Sequence, residues 1–212
     1  METIYLSQPQ KMPDACVATV GMFDGVHRGH RHVIGKVVER ARKEGLASTV
    51  ITFDKPPRQV LDPSFRPQLL STLEEKKAVV GELGADHFVV LPFTRETAAL
   101  SAREFMGQVL RGQLQTEVLV TGYDNRFGHN REEGFDDYVR YGRELGIEVR
   151  SLPPAPSKGR GRTISSSFIR QLLTEGHVGK ASEGLGYPYT ILGRVEHGEH
   201  VGTRLGFPTA NL

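Results

Sequence analysis

Two histidines close together, His27 and His30, stand in a glycine-rich segment whose residue types suit phosphate chemistry. Residues 21–30 read Gly-Met-Phe-Asp-Gly-Val-His-Arg-Gly-His. Imidazole N–H groups can donate hydrogen bonds to phosphate oxygens that gain charge in a transition state, and Gly29 lets the backbone approach such a ligand. The segment lacks the G-x-G-x-x-G of dinucleotide sites and the Gly-Lys-Ser/Thr ending of a P-loop. It therefore indicates a phosphate site of another kind.

Two other interpretations of these histidines are open. Together with His32 they could be ordinary surface residues, or they could bind a metal ion. A metal site usually needs a carboxylate or cysteine as a further ligand, and no convincing one lies nearby in the sequence. The position between a predicted strand and a predicted helix favours phosphate, because the unpaired N–H groups and the positive dipole end of a helix attract anions.

The elements that must position these residues alternate between strand and helix patterns. Buried strands are predicted over residues 17–22, 47–53, 87–91, 117–121 and 147–152. Helical patterns lie between them, two of which begin at capping-box spacings, Ser71 to Glu74 and Ser101 to Glu104. This alternation predicts an α/β fold with a doubly wound, Rossmann-like parallel sheet. Ligands of such sheets bind beyond the carboxyl ends of the strands, so functional residues should follow strands.

Composition narrows the class of protein without giving its function. The 212 residues are 38% hydrophobic and 25% charged, which fits a globular chain of one full domain plus a remnant, or of two small domains. A net charge of +2 gives no reason to expect a nucleic acid or a membrane as partner. No secretory leader or apolar span is visible, and the single cysteine, Cys16, suits the cytoplasm.

Four ordered motifs and the tail resemble one known family. Residues 21–30 resemble the first motif of the bacterial bifunctional riboflavin kinase/FAD synthetase family, whose transferase domain belongs to the His-x-Gly-His nucleotidyltransferases. The further motifs are Thr52-Phe53-Asp54, then residues 122–128 followed by Arg131 and Gly134, then residues 164–170. The tail, residues 206–211, is similar to the start of the family's kinase module and contains its Pro-Thr-Ala-Asn sequence.

The resemblance implies a site for ATP. It makes His27, His30 and Arg170 the catalytic residues. The residues implied to bind ATP are Gly21, Phe23, Asp24, Gly29, Ser166 and Ser167. Serines at a helix start, with a guanidinium one turn later, also suit phosphate on physical grounds. Without the resemblance, Ser165 to Ser167 would be interpreted as a helix N-cap only.

The resemblance also implies an FMN site that contains Arg58, Asp124 and Phe127. An aromatic ring and a few hydrogen-bonding groups suit a flat isoalloxazine, although core packing is an equal alternative for Phe127. Two departures from the family pattern bear on this site. Lys55-Pro56-Pro57 replaces the family's Pro-His-Pro, and Asn125 stands where an aromatic residue is usual.

The function that follows from the resemblance is transfer of the AMP moiety of ATP to FMN, giving FAD and pyrophosphate. Mg²⁺ is expected with the triphosphate, held chiefly by phosphate oxygens and water. No partner other than these small molecules is expected, apart from the rest of a kinase module. Another small-molecule nucleotidyltransferase, using CTP or acting on phosphopantetheine, and a flavin- or nucleotide-binding module without turnover are the alternatives.

The chain divides, on this interpretation, into an adenylyltransferase at 1–186 and the first part of a riboflavin kinase β-barrel at 187–212. Thr209 and Asn211 resemble residues that the family uses around the nucleotide and metal of the kinase. We expect no kinase activity from so short a β segment, although a longer parent protein would have it. The Pro/Gly/basic stretch 153–162, which includes Lys158, Arg160 and Arg162, is a linker or a mobile basic lid.

Overall fold

A single parallel sheet forms the centre of the molecule. The structure, a computed structural model, describes residues 1–7, 11–12, 14–123, 125–129, 132–154, 164–198, 201–207 and 209. The strands of these residues are β1 (Glu2–Tyr5), β2 (Cys16–Val20), β3 (Ala47–Phe53), β4 (His87–Leu91), β5 (Thr116–Gly122) and β6 (Glu148–Leu152). Their order is β1-β4-β3-β2-β5-β6, and every pairing is parallel. The doubly wound parallel sheet predicted from the sequence is confirmed.

The strand order changes direction at β2. From β2 the chain adds β3 and β4 on one side, and then crosses to add β5 and β6 on the other. The carboxyl ends of β2 and β5 therefore border the crevice where this fold class binds its ligands. The strand β1 was not predicted, because four partly exposed residues at a sheet edge carry little hydrophobic pattern.

Helix α1 (Arg28–Glu44) covers one face of the sheet. The buried residues of α1 recur at helical spacing, and the helix ends at Gly45, which takes a left-handed conformation. The helix packs against β2, β3 and β5. Because α1 follows the loop after β2 directly, the packing of this long helix fixes where the histidine segment lies.

The other helices complete the two layers. They are α2 (Pro57–Leu61), α3 (Leu73–Glu82), α4 (Arg95–Ala99), α5 (Ala102–Glu104), α6 (Phe135–Leu145), α7 (Ser166–Thr174), α8 (Val178–Leu185) and α9 (Val201–Arg204). A π-helical stretch, Phe105–Gln113, continues α5 and packs with α6 on the face of the sheet opposite α1. In the described part of the chain, no helix has the length and apolar character that crossing a membrane requires.

One of the two predicted capping boxes is correct and the other is displaced by one residue. Ser101 and Glu104 form the box at the start of α5. At α3 the box is formed by Thr72 and Glu75, so the predicted pairing of Ser71 with Glu74 is wrong. Ser71 is buried, and its hydroxyl accepts a hydrogen bond from the backbone of Gly25 instead. A long-range partner therefore overrides the local capping pattern.

The tail also differs from the pattern seen in the sequence. The strand-like run from Tyr187 forms no strand within the described residues 187–198, and Val201–Arg204 is helical. A strand needs a neighbour to pair its backbone groups, and within the described residues of this run only Glu196 takes part in a β-bridge. Several apolar side chains of this tail are largely exposed: Ile191, Leu192, Val195, Leu205 and Phe207.

Candidate active site

The loop between β2 and α1 and the segment after β5 meet at the point where the strand order reverses. The side-chain amide of Asn125 donates a hydrogen bond to the carbonyl of Val20, the last residue of β2, at 2.7 Å. The residue that departs from the family pattern thus connects the two strand ends. The carboxyl ends of β2 and β5 thus come together at the crevice where the sequence predicts functional residues, whose roles stay a prediction.

The β2–α1 loop, residues 21–27, has a strained backbone. Phe23 has φ 48°, Gly25 has φ 72° and Val26 has φ 33°. A left-handed conformation is unusual for a β-branched residue such as Val26, and it persists only where the surroundings enforce it. A Cβ at Gly25 would lie 2.8 Å from Leu70 Cδ1, so this position requires glycine for space as well as for φ.

Three hydroxyl groups from distant segments hold the backbone of this loop. The N–H of Gly25 donates to Ser71 Oγ at 3.0 Å, and Tyr187 donates to the Gly25 carbonyl at 2.7 Å. Ser166 Oγ donates to the Asp24 carbonyl at 2.9 Å. The loop is therefore fixed by the segment before α3, by α7 and by the residues after α8. From the sequence, Ser71 was interpreted only as a helix cap, and Tyr187 was not singled out.

The Asp24 carboxylate joins the loop to two of these parts, the segment before α3 and α7. Its Oδ1 accepts hydrogen bonds from the backbone N–H groups of Leu70 and Ser71, at 2.8 and 3.4 Å. Its Oδ2 pairs with Arg170 Nη1 at 2.7 Å. Burial raises the pKa of Asp24, while these hydrogen bonds and the positive charge of Arg170 act in the opposite direction. Asp24 is thus a buried anchor for the loop.

Arg170 and the serines at the start of α7 are close to the loop, as the resemblance implies. Ser165 is the N-cap residue, since its hydroxyl accepts from the N–H of Phe168. Ser167 Oγ accepts from Arg170 Nη2 at 3.2 Å. The structure thus brings Ser166, Ser167 and Arg170 to the same place as Asp24. Their contact with a nucleotide stays a prediction.

His27 and His30 form a stacked pair at the start of α1. Their ring centroids are 3.6 Å apart, with an interplanar angle of 17°. His27 is buried, and its Nδ1 accepts the backbone N–H of His30 at 3.3 Å, which caps the helix. With Nδ1 as an acceptor, the proton of the neutral His27 ring is on Nε2. The interpretation of the pair as loose surface histidines is therefore wrong.

Gly29 and Gly21 allow the close packing of this pair and of Phe23. A Cβ at Gly29 would lie 3.1 Å from His27 Cε1, and one at Gly21 would lie 3.2 Å from the Phe23 ring. The Phe23 ring is buried, and its centroid lies 5.2 Å from that of the His30 ring in a T-shaped arrangement. The amide of Gly21 donates to the Ile51 carbonyl at 3.0 Å, which continues the sheet pairing. These residues shape the site whether or not they also contact a ligand.

The His30 ring is held in its neutral form. Burial lowers its pKa well below the ordinary 6.5, and the charges of His27 and Lys76 lower it further. Its Nδ1 is buried and has no hydrogen-bond partner among the described residues. A buried polar atom without a partner is uncommon in folded proteins and is typical of a functional site.

The lowered pKa of His30 makes a prediction about stability. The unfolded chain takes up a proton at this residue below pH about 6.5, whereas the folded chain resists it, so acidification favours unfolding. We expect the free energy of unfolding to fall between pH about 7.5 and about 5.5, and to fall less in His30→Gln. Urea unfolding at a series of pH values measures this. His32→Gln is the matched control, and equal slopes for both variants would contradict the prediction.

Lys76 was not singled out from the sequence, and the structure places it in the site. Its residue exposure is 5%, and its Nζ donates to Thr52 Oγ1 at 3.2 Å. A lysine in a helix pattern is normally exposed, so no local signal could have distinguished it from its neighbour Lys77. The Thr52-Phe53-Asp54 motif was the only clue, because it contains the hydroxyl that Lys76 contacts.

The candidate FMN residues are less closely grouped. The Phe127 ring stacks on Tyr138 with centroids 4.2 Å apart and packs against the main core cluster, as the core-packing alternative predicts. Arg58 lies on α2, with its side chain 71% exposed, over the ring of Phe65. Asp124 lies outside the described residues. A flavin site built from these three residues therefore stays a prediction.

The remaining candidates lie in the tail and in the basic stretch. Thr209 is exposed, while Asn211, Arg131, Lys158, Arg160 and Arg162 lie outside the described residues. Among the residues that the structure describes, no group of three or more His, Cys, Asp or Glu side chains could hold a metal ion.

Comparison with known protein families gives two matches along the chain. The FAD synthetase family model matches residues 9–168, and the riboflavin kinase family model matches residues 185–212. The first match includes the β2–α1 loop, Lys76 and the first residues of α7. The second begins at the end of α8, two residues before Tyr187.

Curated relatives and a solved structure agree with the family match. The chain is 37% identical over 203 residues to a bifunctional riboflavin kinase/FMN adenylyltransferase of Escherichia coli K12, covering 96% of this chain and 64% of that protein. It is 38% identical over 220 residues to the protein of that name from Listeria monocytogenes, covering 100% of this chain and 68% of the relative. A crystal structure described as a macrolide-efflux protein from Streptococcus pneumoniae is similar, with a TM-score of 0.86 and 30% identity, over 99% of this chain and 68% of that one.

Proposed function

Because the chain belongs to the FAD synthetase family, we propose that it transfers the AMP moiety of ATP to FMN. An oxygen of the FMN phosphate attacks the α-phosphorus of ATP and forms the new P–O bond. The bond from the α-phosphorus to the bridging oxygen breaks, and pyrophosphate leaves with the electron pair. FAD and pyrophosphate are the products, and no covalent enzyme intermediate is needed.

The observation that carries this proposal is the stacked His27–His30 pair at the start of α1. The pair lies at the carboxyl edge of the sheet, beside the point where the strand order reverses. His27 presents a protonated Nε2, and the neutral His30 ring has one N–H to donate. Such preorganised donors stabilise charge that develops on phosphate oxygens, and little reorganisation is needed when the reaction occurs.

Arg170 and the α7 serines complete the proposed phosphate site. Arg170 is paired with Asp24 and with Ser167. A guanidinium held in place by a carboxylate is preorganised to bind phosphate oxygens with its remaining N–H groups. On this proposal Asp24 holds the arginine and the loop in place, whereas Arg170 binds the triphosphate.

Mg²⁺ enters this reaction as part of the MgATP substrate. The donor set around the histidine pair is imidazole, hydroxyl and guanidinium, and it supplies few of the oxygen ligands that Mg²⁺ prefers. We therefore assign the ion to the phosphate oxygens and water, as in the sequence-based expectation. The protein residues then act on the phosphates and not on the ion.

The flavin is proposed to bind beside the segment that follows β5. The Asn125 amide donates to the Val20 carbonyl, and the Phe127 ring stacks on Tyr138. Neither side chain is therefore fully available to stack on an isoalloxazine. The Tyr123 side chain, which is half exposed directly after β5, is an aromatic group that could take this part. Arg58 and Asp124 stay in the proposal as polar contacts.

The rest of the protein's activity follows the division of the chain. The chain spans 64% of the length of its Escherichia coli relative, and the riboflavin kinase match covers only residues 185–212. We propose that residues 1–186 carry the transferase and that 187–212 belong to a kinase module, with Thr209 and Asn211 near its nucleotide. The consumption of ATP and the free, buried Cys16 support a cytoplasmic location.

The test of the proposed function is a product assay. The purified chain is incubated with MgATP and FMN, and FAD and pyrophosphate are measured by chromatography and a coupled assay. We expect both products in equal amounts, with no reaction when CTP replaces ATP or 4′-phosphopantetheine replaces FMN. Binding of ATP and FMN without FAD formation would contradict the proposal and select a binding module.

A further inference from the structure

Lys76 is a buried cation that the sequence motifs leave without a role. It lies in the first turns of α3, and its residue exposure is 5%. Cations near the amino end of a helix face the positive end of the helix dipole, which disfavours them. None of the described residues forms an ion pair with its Nζ within 4.0 Å. The site thus contains a positive charge that costs stability and has no direct counterion.

The contacts of Lys76 lead to the β2–α1 loop. Its Nζ donates to Thr52 Oγ1 at 3.2 Å, and Thr52 Oγ1 donates to the Met22 carbonyl at 3.2 Å. Thr52 is fully buried near the end of β3, and Met22 directly precedes the strained Phe23. This chain of hydrogen bonds joins α3, β3 and the loop, so the ammonium group is fixed in position beside the loop.

Two titratable side chains, Asp24 and His30, lie within electrostatic reach of Lys76. Asp24, from the loop, favours the charged form of the lysine, while burial disfavours it and lowers its pKa to about 8. The charge of Lys76 also lowers the pKa of His30, in addition to the larger effects of burial and of His27. The four titratable groups Asp24, His27, His30 and Lys76 therefore form one electrostatic unit.

We propose that Lys76 is a positioning residue for adenylyl transfer, which acts through His30 and through the Thr52–Met22 contact. Its ammonium group supplies a fixed positive charge beside the loop and, after burial and His27, adds to the effects that disfavour protonation of His30. The incoming triphosphate then meets a site in which the positive charge of Lys76 is already in position. The neutral His30 ring can donate a hydrogen bond to it. This inference rests on the proposed function, because the reaction is the one proposed above.

The inference leads to a specific pH dependence. Phosphate monoesters lose their second proton near pH 6, so above pH 7 the protein groups control the profile. In the wild type, kcat/KM for ATP should decline as the pH rises through about 8, where Lys76 loses its proton in the free enzyme. The bound triphosphate stabilises the ammonium group, so the decline of kcat should occur at higher pH.

The experiment compares Lys76→Met, Lys76→Arg and the control Lys77→Met. Lys77 is the next residue of α3, with a side chain 36% exposed and paired with Glu74. For each protein, kcat and KM for ATP are measured from pH about 7 to about 9.5, together with the melting temperature. The pKa of His30 is measured by imidazole NMR, with His30→Gln used to assign the signal.

We expect Lys76→Met to lower kcat/KM for ATP about tenfold at pH about 7.5, which corresponds to a loss of about 1.4 kcal/mol of transition-state stabilisation. The melting temperature should not fall, because an apolar side chain replaces a buried charge without an ion pair. The pKa of His30 should rise in Lys76→Met. Lys76→Arg should recover activity and show no decline near pH 8, since a guanidinium does not lose its proton there. Lys77→Met should behave like the wild type.

The inference would be overturned by an unchanged His30 pKa and an unchanged kcat/KM in Lys76→Met. It would also be overturned if the melting temperature fell and Lys76→Arg kept the decline near pH 8, because Lys76 would then be only structural. The NMR titration does not depend on turnover. If the wild type formed no FAD, the proposed function would fail, while the titration would still test the coupling between Lys76 and His30.

Discussion

Replacing His30 with alanine is expected to lower kcat for FAD formation about a hundredfold, the usual effect of removing one donor that stabilises a developing oxyanion. The side chain of His30 is the member of the histidine pair with a buried nitrogen that has no partner among the described residues. This nitrogen can therefore form a hydrogen bond with a ligand. Rapid-quench or steady-state assays of FAD at saturating ATP and FMN measure the change.

The fold of this variant should be preserved, because the cap of α1 uses the backbone of residue 30. The N–H that donates to His27 Nδ1 is present in any residue at that position. Circular dichroism and the melting temperature check this, and His32→Ala, two residues further along the same helix, is the matched control. A loss of less than about tenfold, or about 1.4 kcal/mol, would contradict a role of His30 at the phosphates.

Replacing Arg170 with alanine is expected to lower kcat/KM for ATP about a hundredfold, since a charged contact to phosphate is lost together with its support of the loop. Arg170 bonds to Asp24 Oδ2 at 2.7 Å and to Ser167 Oγ at 3.2 Å. Its removal leaves the Asp24 carboxylate buried with fewer partners, so the melting temperature should also fall. ATP binding by calorimetry and steady-state kinetics measure the two effects separately.

A double-mutant cycle with Asp24→Asn distinguishes the two roles of Arg170. If Arg170 acted only by holding Asp24, the double variant would be no worse than Asp24→Asn alone. We expect the double variant to be worse, because most of the loss that Arg170→Ala causes should remain when residue 24 is already neutral. Arg140→Ala is the control, because Arg140 is an exposed arginine paired with Asp137 in the same helix. A control loss equal to that of Arg170→Ala would contradict the assignment.

The sheet and the place of the site were predictable because they depend on local patterns. Most of the predicted strands carry a run of apolar residues, and the residues of α1 that face the sheet repeat at helical spacing. Parallel topology then follows from the alternation of strands and helices. The position of His27 and His30 at the junction of β2 and α1 follows from their place in the sequence alone.

The details of the site were not predictable, because they depend on contacts between distant residues. Ser71 looked like a helix cap, and it accepts from Gly25, which is 46 residues away. Tyr187 bonds to the same glycine across 162 residues. Lys76 could not be told from Lys77 by residue type or spacing. Asn125, which seemed only to weaken a flavin site, proved to connect the ends of β2 and β5.

By itself, the sequence determined the fold class, the family resemblance and the segment that carries the chemistry, since each depends on residues adjacent along the chain or on their period. Only the tertiary structure decided which groups complete that segment: the anchor formed by Asp24 and Arg170, the burial that keeps His30 neutral, and the buried charge of Lys76. The physical reason is that burial and electrostatic coupling depend on distances in space, and residues far apart in the chain set those distances.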